Sequence, residues 1–334
     1  MTATEQDLIH AAGAGDEEAF ARLVAAHRGD LHAHCYRMLG STADAEDALQ
    51  EVLVSAWRAM SRFEGRSSLR TWLFRIATNT CLKAIDRRPV RLLPIDYGPA
   101  GADPHGDLGV PLAETVWIEP YPTVEGTYEA REDIELAFVA ALQHLPPAQR
   151  AVLILRDVLG FSGEETADAL GLTPTAVYSS LQRAHRSVAA RQPAVSQQAT
   201  LRSLGDAGVA ALAGRYADAW ERGDVDAIVS MLTADAAFTM PPYSLWFRGR
   251  EDIGSFLAHR PLGDELRGRW RMVATSANGQ LAFGSYLWDS GVGSYLAHSL
   301  SVVTLAAGGA AIAEVCVFLS DTSFPGLGLP ARVD

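Results

Sequence analysis

At 334 residues, with a formal net charge of −12 and 48% hydrophobic residues, the chain has room for two or three domains and an ordinary soluble, globular composition. No run approaches the roughly 20 apolar residues of a bilayer span, and the start, MTATEQDLIHAAGAGDEEAF, lacks the pattern of a signal peptide or basic presequence. Cys35, Cys81 and Cys316 lie far apart without a CxxC pair, which argues against a disulfide framework or structural zinc and fits a reducing cytoplasm. Net acidity disfavours indiscriminate nucleic-acid binding but leaves room for a local basic face.

In chain order, residues up to about Arg91 read as helices. Ser41-Thr42-Ala43-Asp44 marks a helix start, and Ala48, Leu49, Val52, Leu53, Ala56 and Trp57 follow as an apolar stripe at steps of three and four. After a break at Phe63-Glu64-Gly65, a second long helix begins near Ser67 or Ser68, with Leu69, Trp72, Leu73, Ile76, Ala77 and Thr80 inward. The stretch Phe63–Arg88 holds six basic residues (Arg66, Arg70, Arg75, Lys83, Arg87, Arg88) against two acids, and Lys83 is the only lysine of the chain.

From Leu93 to Thr127 there are six prolines, five glycines, six acids and no Lys or Arg, which reads as an extended linker. Its apolar island Val116–Pro122 is either a docking segment or a linker packed on its own domain. Helical pattern resumes from Arg131 to Arg191. Beyond Asp206, two helices (Val209–Glu221 and Val225–Met231) precede strands, with Asn278-Gly279 as a hairpin turn between Trp270–Ser276 and Leu281–Trp288. Strands Tyr295–Leu305 and Ala310–Leu319 follow, joined at Gly308-Gly309. Helices first and a meandering sheet second indicate an α+β domain.

Two segments carry chemistry. Ser162-Gly163-Glu164-Glu165 has the spacing of a capping box, Gly171 suits a helix stop, and Thr173-Pro174 restarts the chain. With Leu172, Val177, Leu181 and Ala184 inward, Thr175, Tyr178, Ser179, Gln182, Arg183 and Arg186 face outward. This is a helix-turn-helix arrangement, able to present Gln and Arg to base edges in a major groove; the bland alternative is a helical hairpin with a solvated face. In the basic stretch, arginines beside Trp72 and Phe74 next to a Gly/Ser loop suit an unstacked single strand. The alternative is that Trp72 is core and the arginines solvate a helix. His32-x-His34-Cys35 lacks a fourth ligand at useful spacing, and its three side chains diverge on a helix, so no metal site is expected.

Taken together, the first 190 residues resemble a bacterial sigma-70-family sigma factor of the extracytoplasmic-function (ECF) group. Asp44–Val52 with Ala56-Trp57-Arg58 resembles the σ2 helix that docks on the polymerase clamp helices. Phe63-x-Gly65-x-Ser67-x-Leu69-x-Thr71-Trp72-Leu73-x-x-Ile76-Ala77-x-Asn79 resembles the loop and helix that melt the −10 element. Leu145-Pro146-x-x-x-Arg150 and the helix-turn-helix resemble σ4, which reads the −35 element. The resemblance implies that Asp47, Gln50 and Glu51 contact core polymerase, whose clamp helices and flap are the expected partners together with promoter DNA. It implies that Arg66, Ser67, Ser68, Arg70, Trp72, Arg75, Asn79, Lys83, Arg87 and Arg88 handle the −10 strand. Thr175, Tyr178, Ser179, Gln182, Arg183 and Arg186 would read the −35 element.

The remaining chain resembles a SnoaL-like, NTF2-type α+β cone, through Ala217–Asp224, Leu232–Ala236 and Trp246–Ile253. Sigma factors with such a tail form subgroups in which the tail is thought to replace a separate anti-sigma protein; the Met240-Pro241-Pro242 segment and the linker island resemble one of them. The expected fold is thus multidomain: two all-α domains, then an α+β cone. The boundaries are 1–92 for σ2, 93–130 for the acidic linker, 131–195 for σ4, 196–205 for a second linker and 206–328 for the SnoaL-like domain. Because such cones often enclose an apolar pocket, Tyr243, Trp246, Trp288, Asp289, His298 and Glu314 are candidates to line one that takes an unknown small ligand. His298 in an apolar strand reads first as a core histidine, and no catalytic residue, cofactor or membrane association is expected. The rival readings are a helix-turn-helix regulator independent of polymerase, and a SnoaL-type isomerase fused to a DNA-binding module.

Overall fold

The computed structural model describes residues 4–87, 89–113, 116–122 and 133–334. They form two compact bodies: residues up to Arg91 with Val139–Gln192, and Leu92–Phe138 with Pro193–Asp334. No helix among the described residues is long and apolar enough to cross a membrane.

In the helical body, α1 (Glu5–Gly13) starts with a Thr4/Asp7 capping box, and α2 (Glu17–Ala25) with Asp16 as its cap. Helix α3 (Arg28–Leu39) ends at Gly40, whose φ of 72° is the left-handed conformation that glycine adopts without strain. Helix α4 (Thr42–Ala59) is capped by Ser41 and buries Ala45, Ala48, Leu49, Val52 and Ala56, the stripe expected from spacing. Helix α5 (Leu69–Ile85) is capped by Ser68 and buries Leu73, Phe74, Ala77 and Cys81 against α3 and α4. A short α6 (Pro94–Tyr97) belongs to the second body, and α7 (Leu136–Gln143) runs across the division.

Helix α8 (Pro147–Leu153) continues as a wider π-type turn over Ile154–Val158. Helix α9 (Gly163–Leu170) has the Ser162/Glu165 capping box and stops at Gly171, φ 65°. Helix α10 (Pro174–Ala189) starts at the Thr173 cap. Val177 and Ala184 are fully buried, and Leu172 and Leu181 pack half-buried against Val152 and Ala167.

Arg150 joins the body's two halves. Its buried guanidinium donates to Met38 O of α3, to Gln143 Oε1 at 2.6 Å and to Gln143 O at 3.0 Å. Burial lowers its pKa to about 10, so it keeps its charge at neutral pH.

In the second body, seven described strands form one sheet in the order β2-β1-β6-β5-β4-β3, with β7 paired to β5. The strands are β1 (Leu232–Thr239), β2 (Trp246–Arg248), β3 (Trp270–Ala277), β4 (Gln280–Asp289), β5 (Ser294–Leu305), β6 (Ile312–Phe318) and β7 (Arg332–Val333). All neighbours are antiparallel except β1 and β6. Asn278 and Gly279 turn β3 into β4 with φ of 52° and 67°, as a two-residue hairpin of this twist requires. Helices α11 (Gln197–Arg222), α12 (Val225–Met231) and α13 (Arg250–His259) share a core with the sheet through Tyr216, Trp220, Ile228, Phe256 and Phe283.

Two expectations need correction. Residues 196–205 are not a linker: Ser196 caps α11, which kinks at Gly205 (φ 66°, ψ 165°) and continues into the first helix of the α+β domain. The described part of the acidic linker is not a free spacer, because it lies along the α+β domain. Gly101 N donates to Trp246 O, Leu112 N to Pro242 O, and Trp117 Nε1 to Pro242 O at 3.0 Å. Trp117, Ile118 and Tyr121 are buried. Asn278 clamps the end of the segment: its Oδ1 accepts from Tyr121 N at 2.8 Å, its N donates to Tyr121 O, and its Nδ2 donates to Ile134 O at 2.8 Å. The described part of the apolar island packs on the α+β domain.

Candidate nucleic-acid interface

The basic stretch forms a loop and α5. Gly65 turns the loop at φ 69°, Ser68 accepts from Thr71 N at 3.0 Å, and Arg66 pairs with Glu64. Ser67 is exposed. With α1, the loop borders a cleft of about 980 Å³ whose wall includes Glu5, His10, Met60, Phe63, Gly65 and Ser67. Trp72 is half-buried, its ring 5.0 Å from that of Phe63. Trp72 thus packs on Phe63 and stays partly open to solvent. Lys83 and Arg87 are exposed on the last turn and beyond, and Arg88 lies outside the described residues.

The middle of α5 is engaged by the helix-turn-helix. Arg75 Nη1 meets Asp168 Oδ2 at 2.9 Å, and Thr71 Oγ1 donates to Glu165 Oε1 at 3.3 Å. Arg70 Nη1 donates to Leu159 O at 3.1 Å while its guanidinium lies over Phe74 and Phe161, 5.1 and 5.4 Å from their centroids. Asn79 Nδ2 reaches Ala169 O at 3.5 Å. Four of the residues expected to handle DNA, or their immediate neighbours, are thus held by α9 and the turn before it. Glu165 and Asp168 were missed in the sequence reading. Their signal was there: an acidic helix, Gly163–Leu170, in a chain whose basic charge sits in α5. Hydrogen bonds to Ser162 hold the Glu165 carboxyl below its ordinary pKa, so it is ionised at neutral pH.

On α10, Thr175, Gln182, Arg183 and Arg186 are exposed and Ser179 is half-buried. Arg183 donates to Ser180 Oγ and Arg186 to Gln182 O, both exposed contacts within the helix. Tyr178 is 54% exposed but rests on Gly163, where an added Cβ would sit 3.1 Å from its hydroxyl. It therefore helps seat the helix pair. Asp47, Gln50 and Glu51 are exposed together on α4, beside Val54, also exposed. His34 is buried, bonded to Thr78 Oγ1 at 2.9 Å, and burial lowers its pKa to about 3; among the described residues no cluster of His, Cys, Asp and Glu could hold a metal ion.

The pocket expectation for the α+β domain needs correction. A cavity of about 440 Å³ exists, but of the six residues expected to line it only His298 does. Trp246 is turned to the linker, its Nε1 donating to Gly98 O at 2.8 Å. Trp288 packs on Tyr295, and Asp289 caps the turn at Gly291 and Val292. Tyr243 closes the turn after Met240, and Glu314 lies on β6, outside the lining. The walls are instead Trp220, Phe238, Met240, Phe256, Trp270 and Val317. These come from five elements distant in sequence, so no local pattern marks them. Among the described residues no carboxylate lines the cavity, and Asp289 does not meet His298 there.

Comparison with known proteins agrees with this architecture. Residues 23–89 match the family model for sigma-70 region 2, residues 135–187 that for sigma-70 region 4, and residues 213–315 that for a SnoaL-like domain. The chain is 43% identical over 314 residues to the ECF RNA polymerase sigma factor SigG of Mycobacterium tuberculosis, covering 91% of this chain and 82% of that one. It is 31% identical over 186 residues to the ECF RNA polymerase sigma factor SigM of the same species, covering 56% of this chain and 83% of SigM. The crystal structure of the M. tuberculosis extracytoplasmic-function sigma factor SigJ shares the fold, with a TM-score of 0.60 at 21% identity, over 93% of this chain and 99% of SigJ.

Proposed function

The chain belongs to the ECF family of RNA polymerase sigma factors, with a SnoaL-like domain at its C-terminal end, and on that premise we propose that the structure described is a closed resting form. In the working form, Asp47, Gln50 and Glu51 dock on core polymerase. The loop at Ser67 and Ser68, with Trp72, Arg75 and Asn79, captures unstacked −10 bases, and Arg66, Arg70, Lys83, Arg87 and Arg88 hold phosphates. Thr175, Ser179, Gln182, Arg183 and Arg186 read the −35 element from the major groove. The α+β domain binds the described part of the σ2–σ4 linker and does the work of an anti-sigma protein.

One observation carries this reading. Elements centred 25 base pairs apart lie about 85 Å apart along B-DNA at 3.4 Å per pair. Here the helix expected to read one touches the helix-turn-helix expected to read the other, at 2.9 Å between Arg75 and Asp168. Both sites cannot be read at once until α5 and α9 part.

The test is to hold them together. With Cys35, Cys81 and Cys316 buried, an Arg75→Cys/Asp168→Cys protein can be bridged by a short, cleavable thiol cross-linker. The bridged protein should lose promoter opening with core polymerase and regain it when the bridge is cut. Undiminished transcription from the bridged protein would rule out a closed resting form. Absence of promoter-specific transcription from the unmodified protein, across promoters bearing both elements, would remove the division of labour proposed for α5 and α10.

A further inference from the structure

The cavity in the α+β domain is apolar along most of its wall, and its polar groups are few: serine hydroxyls, two imidazoles and one guanidinium. Ser285, Ser299 and Ser301 present hydroxyls; His298, with Trp270 edge-on at 5.1 Å, is kept neutral by burial. Among the described residues of the lining, Arg260 alone carries a permanent charge. A volume of about 440 Å³ falls within the ~300–1,000 Å³ usual for small-molecule sites, which are likewise apolar with a few placed polar groups.

Arg260 is also tied to the linker. Its Nη2 donates to Gly106 O at 2.7 Å, while its Nε is buried with no hydrogen-bond partner among the described residues. On the same segment His105 stacks on His259, with centroids 4.4 Å apart, and its Nε2 bonds Ser255 Oγ at 2.8 Å. Leu108 packs against the core and completes the cavity wall. Residues 103–108 therefore form a strap across the cavity, fastened at Arg260 by a bond from a cation to a neutral carbonyl.

We propose that this cavity binds a small apolar carboxylic acid whose carboxylate takes Arg260 from the Gly106 carbonyl, so that ligand binding loosens the linker strap. The charge fits because the one ionic group on the wall is positive and no carboxylate opposes it. The exchange is favourable because a carboxylate brings a full negative charge to the guanidinium and can accept two parallel N–H bonds from it, including one from the unpartnered Nε, where the Gly106 carbonyl accepts one. The chemistry is binding alone, since the wall offers no acid/base pair.

The full-length protein can be titrated with decanoate and decanol, with tryptophan fluorescence from Trp220 and Trp270 and calorimetry as readouts. Decanoate should bind at least about tenfold tighter than decanol, the worth of one charge-assisted bond. Amide hydrogen exchange over residues 102–108 should rise with decanoate bound. Arg260→Gln should abolish the preference for the acid while keeping decanol binding. Ser299→Phe, which fills the cavity, should abolish both in a protein whose circular dichroism is unchanged. Binding of neither probe, or equal binding of both, overturns the assignment of the ligand class. Decanoate binding with unchanged or slower exchange at the strap overturns the coupling. Both readouts stand on the unmodified protein, so a variant that fails to fold does not blunt the test.

Discussion

In the helical body, the charged contacts of α5 with the helix-turn-helix face water, Arg75 being 49% and Asp168 75% exposed in their pair and Thr71 and Glu165 meeting at the surface, while Arg70 and Asn79 make part-buried bonds to Leu159 O and Ala169 O. In the second body, the linker is held to the α+β domain by buried groups: Asn278 clamps Tyr121 and Ile134, and Trp117 and Ile118 are sealed in the core. Exposed ion pairs contribute about 0–1 kcal/mol each and weaken in salt. Buried polar groups cost about 1–3 kcal/mol each when their partners are lost. The charged part of the first contact is thus weaker than the second. Arg150 is the exception within the helical body, a buried cation joining α3 to the start of the second helical half.

The largest effect is expected at that exception. Arg150→Ala strips donors from Met38 O and from the Gln143 carbonyl and side chain, and should lower stability by about 3–5 kcal/mol in thermal or urea unfolding. A loss under about 1 kcal/mol would show that the two helical halves are joined elsewhere. Next, Asn278→Ala removes the two side-chain hydrogen bonds, from Tyr121 N and to Ile134 O, and places alanine at φ 52°. It should cost about 2–4 kcal/mol and speed amide exchange at Tyr121.

Glu314 tests the same body by pH. Burial first, then the nearby charge of Asp96 on the linker, raises its pKa from 4.5 to about 7. The unfolded chain ionises this group near 4.5 and the folded protein near 7. Its contribution is thus neutral below 4.5, grows unfavourable between 4.5 and 7, and is complete above 7. Glu314→Gln should therefore gain about 2–3 kcal/mol at pH 8 and nothing at pH 4, measured by paired denaturation curves. The smallest effect on stability is expected at the clasp: Asp168→Asn should change it by less than about 1 kcal/mol. It should nonetheless raise binding of a single-stranded −10 oligonucleotide, most visibly at low salt. A stability loss above about 2 kcal/mol would make Asp168 part of the core rather than of a releasable contact.

The elements and their caps were legible in the sequence because their causes are local. Ser41, Ser68, Ser162 and Thr173 each bond the backbone three residues on, Gly171 ends α9, and Asn278-Gly279 turns a hairpin, all within a few residues. The exposed face of α10 follows from the same periodicity, since burying Val177 and Ala184 commits Gln182 and Arg183 to the other side. What only the tertiary structure decided depends on groups far apart in the chain. The acids of α9 close on the arginine of α5 across 93 residues, and the linker finds its clamp in a hairpin turn 157 residues on. The cavity is likewise walled by Trp220, Phe256, Trp270 and Val317 rather than by Trp246 and Trp288. In an alternating strand a side chain's face is set by register with its neighbours, and one step of register sends a tryptophan to the opposite side of the sheet.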